Sequence, residues 1–312
     1  MTTQPNSQSN QSVWDDENVA KALSVRGKTF YNADYFERIV MPLLDLPSSG
    51  RILDVGCGNG GLSFILTRLR PDLHITGVDM EAGSIDSAAK TAAENGWTNL
   101  TFEQGDGHQL KYEDNLFDAV MCQTVLTHVR DAEKVIKEMA RVLKPNGVFM
   151  AAEYTDMGEA MFYCSEGDEK RNEAWIQEYF RLSRLYIHGK RNVGQGDDEL
   201  GIRVPCLATA AGLNVFDVRL NDRVLHVIPP YKYPKQEDYL ELLKANFTPD
   251  QDNRYLTRLT DILKTAGGTK EEAAWLRNAE DELAILQAIE ERILTRISAY
   301  MLFLTFARKP SA

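Results

Sequence analysis

Arg51 to Gly61 reads RILDVGCGNGG, and this stretch decides the fold. Ile52, Leu53 and Val55 form a short apolar run suited to a buried strand, with Asp54 set into its end. Gly56, Gly58 and Gly60 then alternate with Cys57 and Asn59, and Gly61 follows. Beyond them Leu62, Phe64, Ile65, Leu66 and Leu69 recur at helical spacing. The pattern is strand, glycine turn, helix. Glycines suit such a turn because they reach positive φ cheaply and let a ligand approach bare backbone. The helix start behind it offers unpaired N–H groups and a positive dipole end.

The sequence around this turn repeats its logic. His74-Ile75-Thr76-Gly77-Val78-Asp79 reads as a second strand ending in an acid, which can accept hydrogen bonds from both hydroxyls of a ribose. A third short strand, Leu100 to Gln104, ends in Gly105-Asp106-Gly107. Phe117 to Cys122 makes a fourth, and Gly147 to Glu153 a fifth. A dinucleotide-binding dehydrogenase is the main competitor, but it wants GxGxxG, and here the glycines fall at Gly56, Gly58 and Gly60.

DVGCGNG, GVDM, QGDGHQL, FDAVMCQTVLTHV and LKPNGVFMAAE, in this order, resemble the motifs of class I S-adenosylmethionine-dependent methyltransferases of the small-molecule type. The resemblance covers Gly50 to Glu153. It implies an α/β fold: a Rossmann-like, seven-stranded, mostly parallel sheet with helices on both faces. It also implies S-adenosyl-L-methionine as cofactor, held by Asp54, Gly56, Gly58, Gly60, Asp79, Met80, Gly105, Asp106, Gly107, Gln123 and His128. In that scheme Asp79 is the ribose ligand, Met80 lies against the adenine and Asp106 faces its amino group. Asp54 either orients the glycine turn or sits near the ammonium of the methionine moiety. Cys57 and Asn59 read as turn residues. Gln123 contacts the methionine part, and Tyr31 presses on the same end from an N-terminal cap or simply packs a helix face.

Residues 1–13 read as a disordered Gln/Asn/Ser-rich tail and 14–48 as a helical cap containing Trp14, Phe30, Tyr31 and Phe36. The core spans 49–228 with 298–309, including a substrate cover at 154–200 rich in Met157, Met161, Phe162, Trp175, Tyr179 and Tyr186. Within that cover GKRNVGQGDDELG, residues 189–201, reads as a polar loop able to move. A strand is expected over about 213–227, preceded by a helix over 202–211. Residues 229–297 form a helical insertion before the last strand, either a lid over the substrate or a homodimerisation arm.

Three residues are candidates for chemistry. His128 is the candidate general base, because an imidazole accepts a proton near neutral pH. Glu153 is expected to hold a cationic or hydroxylated substrate, or else to cap, and Tyr154 to orient a substrate or pack. No metal-ligand spacing such as HxxxH stands in the pocket loops. The net charge of -11 weighs against nucleic acid as partner. Four scattered cysteines without CxxC fit a reducing compartment, and no apolar run reaches membrane-spanning length, so the expectation is cytoplasmic. The expected reaction is in-line methyl transfer to O, N or C of a small metabolite, as in natural-product biosynthesis. The alternatives are a protein or RNA methyltransferase and a non-catalytic S-adenosylmethionine-binding regulator.

Overall fold

Period-2 alternation along the strands sorts their side chains onto two faces of one sheet. The computed structural model describes residues 30–155, 163–166, 171–247, 254–278, 282–299 and 301–311. Within these, β1 (Arg51–Val55), β2 (His74–Asp79), β3 (Leu100–Gln104), β4 (Phe117–Gln123), β5 (Leu143–Tyr154), β7 (Asn214–Leu220) and β10 (Leu302–Arg308) form a 7-stranded sheet. Its order is β3-β2-β1-β4-β5-β10-β7. The first five strands are mutually parallel, and β10 runs antiparallel between β5 and β7. The expected doubly wound sheet is therefore present, and the glycine turn stands at the C-terminal end of central strand β1.

On one face Leu53, Val55, Val120, Cys122 and Phe149 pack against Val135, Ile136 and Met139 of α4 (Ala132–Val142). That helix starts at Asp131, whose carboxylate accepts the Lys134 N–H at 3.0 Å. α6 (Val204–Ala210) adds Val204 and Ala208 to the same layer. On the other face Ile52, Met121, Met150, Leu304 and Phe306 meet α1 and α2. α1 is the continuous helical stretch Ala33–Tyr35, Phe36–Val40 and Met41–Leu44, π-wound in its middle, and α2 is Gly61–Leu69. α3 (Ala82–Glu94) flanks β2 and β3. The N-terminal cap is thus helical from residue 33. The tail and the first part of the cap, Trp14 included, lie outside the described residues, as do Met157, Met161 and Phe162.

Two strand boundaries differ from expectation. The segment 213–227 splits into β7 and a separate β8 (Leu225–Val227). The break falls where the side chain of Asn221 donates to Phe30 O and accepts from Leu302 N–H, while Asp222 accepts from Asn32. Docking of the N-terminal segment ends the strand there. β5 also starts at Leu143, not after the Pro145-Asn146-Gly147 turn, because Leu143 already pairs with Phe117 before the register shifts. Asn146 absorbs the irregularity at φ 62°.

β8 belongs to a 3-stranded sheet, β6-β9-β8, with β6 (Tyr163–Cys164) and β9 (Arg296–Ser298). With α7 (Pro234–Phe247) and α10 (Glu282–Glu290) it encloses its own apolar core of Leu225, Val227, Leu240, Leu243, Ile285 and Leu294. α8 (Arg254–Thr265) and α9 (Lys270–Asn278) pack on α5 (Glu173–Asn192). The insertion is helical, as expected, and the added small sheet roots it. Tyr154 pairs with Leu302 and Leu220 with Phe303. So the chain leaves the main sheet after β5 and β7, and re-enters at β10, on one rim.

At the opposite rim Lys309 closes the C-terminus of α4. Its ammonium donates to Ala140 O and Leu143 O, each at 2.8 Å, to Arg141 O at 3.2 Å and to Asn115 Oδ1 at 2.8 Å. Carbonyls at a helix end lack intrahelical donors, and a cation there satisfies them. Replacing it by methionine leaves several of them unpaired. Lys309→Met is expected to lower unfolding stability by about 1–3 kcal/mol in urea denaturation. An unchanged midpoint and slope would show that water replaces the ammonium without loss.

Candidate active site

The glycine turn is tied to its neighbour strand by backbone. Gly56 N–H and Cys57 N–H both donate to Val78 O, at 2.7 and 3.1 Å. Gly56, Gly58 and Gly60 adopt φ of 68°, 49° and 85°. A Cβ on Gly56 would run into the side chain of Val125, and one on Gly60 would lie 2.6 Å from Phe64 Cζ. Among the described residues a Cβ on Gly58 would meet nothing within 4 Å. Gly58 is therefore required for its conformation, and no described residue fills the space it faces. That is the cradle an extended small ligand needs at a helix N-terminus.

Two carboxylates frame the turn from opposite sides. Asp54 is buried beneath it and accepts the Ser63 hydroxyl at 2.7 Å, which fastens the first turn of α2 to β1. Burial raises its carboxyl to about 7, against the Ser63 hydrogen bonds and with a further push from Asp79. Asp79 is half-buried. Gly58 N–H donates to its Oδ2 at 2.8 Å and Glu81 N–H to its Oδ1 at 2.9 Å. A carboxylate has roughly four acceptor directions, so two backbone bonds orient it and still leave capacity for a diol. Met80 beside it is 59% exposed, an apolar surface next to that acid.

The third acid is oriented too. Asp106 Oδ1 accepts His108 N–H at 2.8 Å and lies 2.7 Å from His108 Nδ1. Partial burial pulls its carboxyl up, but the His108 backbone and ring outweigh that and hold it below the usual range. Gly105 N–H donates to Asp79 O at 2.9 Å, and a Cβ on Gly105 or Gly107 would press on Val78 or Val55. These two glycines serve close packing of backbone on strand.

The loop after β4 folds round Glu153. Its Oε1 accepts Val125 N–H and Leu126 N–H, each at 2.9 Å, and its Oε2 accepts Thr127 N–H at 3.3 Å and the Thr127 hydroxyl at 3.2 Å. Cys122 Sγ adds a longer contact at 3.7 Å. Burial raises the Glu153 carboxyl above its ordinary value, against the amides of Leu126, Val125 and Thr127. Glu153 is wholly buried, which overturns its reading as a substrate-facing acid. It is the anchor of the loop that follows Gln123 and carries His128.

Gln123 Oε1 accepts the Tyr31 hydroxyl at 3.1 Å, so the cap does reach the end of β4. Tyr31 is buried, lies parallel to Tyr35 at 6.1 Å between ring centroids and meets Phe36 edge-on. Burial first, then Tyr35 and Glu153, pushes its hydroxyl far above the ordinary value, so it stays a donor. That fixes the Gln123 amide with its oxygen toward Tyr31 and its NH2 turned elsewhere. His128 is half-buried, with its ring 5.8 Å from that of Tyr154. The Tyr154 hydroxyl donates to Asp198 Oδ1 at 3.1 Å. The structure brings Tyr31, Gln123, His128 and Tyr154 to the rim beside the glycine turn.

Sequence reasoning missed the segment beneath them. Residues 189–201, expected to be mobile, are locked by charge. Asp197, Asp198 and Glu199 are all buried. Arg191 pairs with Asp197 at 2.7 Å and Glu199 at 2.8 Å, Arg203 pairs with Asp197, Arg184 with Glu199, and Lys190 with Asp198 at 2.5 Å. Asp197 N–H donates to Thr127 O at 2.9 Å, and Gly196 and Gly201 pass so close to Thr127 O and Glu153 O that neither admits a Cβ. The sequence holds the partners, basic Lys190 and Arg191 followed at short range by Asp197, Asp198 and Glu199, but the pattern is the same for solvated charges.

Comparison with known proteins agrees with this geometry. Residues 46–195 match the methyltransferase domain family. A sterol 24-C-methyltransferase, erg6, of Aspergillus fumigatus is 35% identical over 131 residues, 41% of this chain and 34% of that protein. A ubiquinone/menaquinone biosynthesis C-methyltransferase, UbiE, of Desulfotalea psychrophila is 29% identical over 146 residues, 47% of this chain and 54% of that protein. The chain thus spans about a third to a half of these curated relatives. Among solved structures, the [4+2]-cyclase SpnF superposes with a TM-score of 0.56 at 22% identity, over 100% of this chain and 98% of that one, a likeness of fold.

The elevated Asp54 carboxyl makes a pH prediction. Between its ordinary 3.8 and about 7, the folded protein keeps a proton that the unfolded chain has released. Its contribution to stability is fully present below about pH 4 and is lost as pH rises through about 7. Asp54→Asn keeps the acceptor for Ser63 and removes the titration. Its thermal stability should therefore fall less than that of the wild type between pH 4 and 8. Parallel stability–pH curves for the two proteins would show that Asp54 ionises as an exposed acid does.

Proposed function

This chain belongs to the class I S-adenosylmethionine-dependent methyltransferases through residues 46–195, and from that premise we propose that it methylates O, N or C of a small organic metabolite. The residues present fit the cofactor. Gly58 leaves open space where an extended ligand needs bare backbone, and Asp79 is pre-oriented with acceptor capacity for a ribose diol. Met80 offers apolar surface for an adenine face, and the Gln123 amide has its NH2 available for a carboxylate. Bound S-adenosylmethionine supplies a methyl group already activated by its sulfonium charge.

The protein then has to align the acceptor, exclude water and manage a proton. His128, on the loop anchored by Glu153, is the group able to take that proton. Tyr154, beside it, is the group able to orient the acceptor. The observation that carries the small-molecule reading is the rim. Three chain crossings there, at Tyr154, Leu220 and Leu302, root the small sheet and its helices at the end of the main sheet where Gln123, His128 and Tyr154 lie. A cover rooted on that rim suits enclosure of a compact substrate, so we read the insertion as a lid and not as a dimerisation arm. The sterol and quinone methyltransferases among the relatives support an organic acceptor. The net charge of -11 weighs against RNA.

Calorimetry and a turnover assay test this together. Asp79→Asn should weaken binding of S-adenosylhomocysteine about tenfold or more, because ordered carboxylate–hydroxyl bonds each contribute upward of ~1 kcal/mol. Unaltered affinity would remove the ribose assignment. Wild-type protein should form S-adenosylhomocysteine with a panel of small metabolites. Formation only with bulk RNA or protein as acceptor would overturn the small-molecule reading, and tight binding without turnover on any acceptor would favour the regulator.

A further inference from the structure

The ion pairs of residues 189–201 are not equivalent. Asp197 and Glu199 are neutralised by Arg184, Arg191 and Arg203, all partly solvent-facing. Asp198 and Lys190 instead pair with each other, and both side chains are almost fully buried, at 4% and 7% exposure. The Lys190 ammonium also sits 5.9 Å from the Tyr186 ring centroid. A buried ion pair contributes little to stability against apolar groups of the same size, because desolvation offsets its attraction. Fold stability alone therefore gives no reason for this pair.

Its place gives one. A single oxygen, Asp198 Oδ1, accepts both the Lys190 ammonium at 2.5 Å and the Tyr154 hydroxyl at 3.1 Å. Lys190 balances the charge, so Asp198 is an acceptor with no net charge left over. A tyrosine has one hydroxyl proton, and here it is committed toward Asp198. The segment cannot drift away, because Asp197 N–H is bonded to Thr127 O and Gly201 is wedged against Glu153 O and Tyr154 O. A group that hydrogen-bonds to the Tyr154 oxygen therefore meets lone-pair density, not a proton.

Resting on the methyl-transfer reading above, we propose that Asp198, charge-balanced by Lys190, is a positioning residue that fixes the Tyr154 hydroxyl as a hydrogen-bond acceptor toward the substrate. The acceptor it selects then carries its own proton at the reacting end. It is a hydroxyl or an amine, not a bare carbon nucleophile. Neither Lys190 nor Asp198 touches the substrate in this scheme, and both act through Tyr154.

The test uses the full chain labelled with 13C at tyrosine Cζ. The Tyr154 resonance is identified by its loss in Tyr154→Phe. The paired variant Lys190→Met with Asp198→Leu removes the acceptor and leaves no lone buried charge. The expected result is a displaced Tyr154 resonance in the paired variant, with affinity for S-adenosylhomocysteine kept within about twofold. With hydroxyl or amine acceptors, Tyr154→Phe and the paired variant should each raise KM about tenfold, and combining them should add less than about twofold. An unmoved Tyr154 resonance, effects that multiply, or a best acceptor whose nucleophile carries no O–H or N–H would overturn the proposal. If the wild type binds S-adenosylhomocysteine but methylates nothing, the methyl-transfer reading falls by itself. The resonance then decides this inference: displacement keeps Asp198 as the group that orients Tyr154, and no displacement removes it.

Discussion

A single buried carboxylate, Glu153 at the end of β5, gathers three successive amides of the loop that follows β4. Uncompensated burial of such a charge would cost several kcal/mol, so the loop has little freedom to leave it. The consequence reaches both sides of the site. Val125, fixed by this bond, fills the space above Gly56 that any Cβ would need. Thr127, fixed by the same group, offers its carbonyl to Asp197. The glycine turn, the β4 loop and the charged segment under it are coupled through one side chain that meets no ligand.

Around this anchor the acids divide their work by burial. Asp54 is enclosed and ionises with difficulty, and its hydrogen bond to Ser63 joins strand to helix. Asp79 and Asp106 are more open, yet each is aimed by backbone N–H groups before any ligand arrives. Pre-orientation matters because a side chain frozen in advance loses no rotamer entropy on binding. The tyrosines follow the same rule. Tyr31 gives its proton to Gln123 and Tyr154 gives its proton to Asp198, so both hydroxyls have a settled polarity.

What the sequence made legible was whatever depends on neighbours along the chain. Alternating glycines with positive φ and period-2 strands ending in acids are local patterns, and the sheet followed from their order. The candidate site was legible where its residues sit on those patterns, as with Asp79 and Gly58, which the fold joins by a 2.8 Å hydrogen bond. It was not legible where a partner lies far along the chain. Glu153 reads as either a substrate-holding acid or a cap, and the sequence does not choose between them, because its three amides are 26–28 residues away. Residues 189–201 read as a flexible polar loop, because glycine and charge look alike whether solvated or paired. Only folding brings Thr127 O and Glu153 O against Gly196 and Gly201 and leaves no room for water. The break between β7 and β8 was hidden for the same reason, since it is set by docking of Phe30 and Asn32 some 190 residues away.

The insertion shows how a common core acquires its own chemistry. Its sheet and helices hold a separate apolar core, so they do not depend on the main sheet for burial. They depend on it for placement, through the crossings at Tyr154, Leu220 and Leu302. Tyr154 stands at one of these crossings: its backbone pairs with Leu302 in the main sheet, and its hydroxyl donates to Asp198. A change in the cover that moves this strand end therefore moves the hydroxyl with it. The same core could thus present a different face to a different acceptor without altering the glycine turn or the acids that frame it.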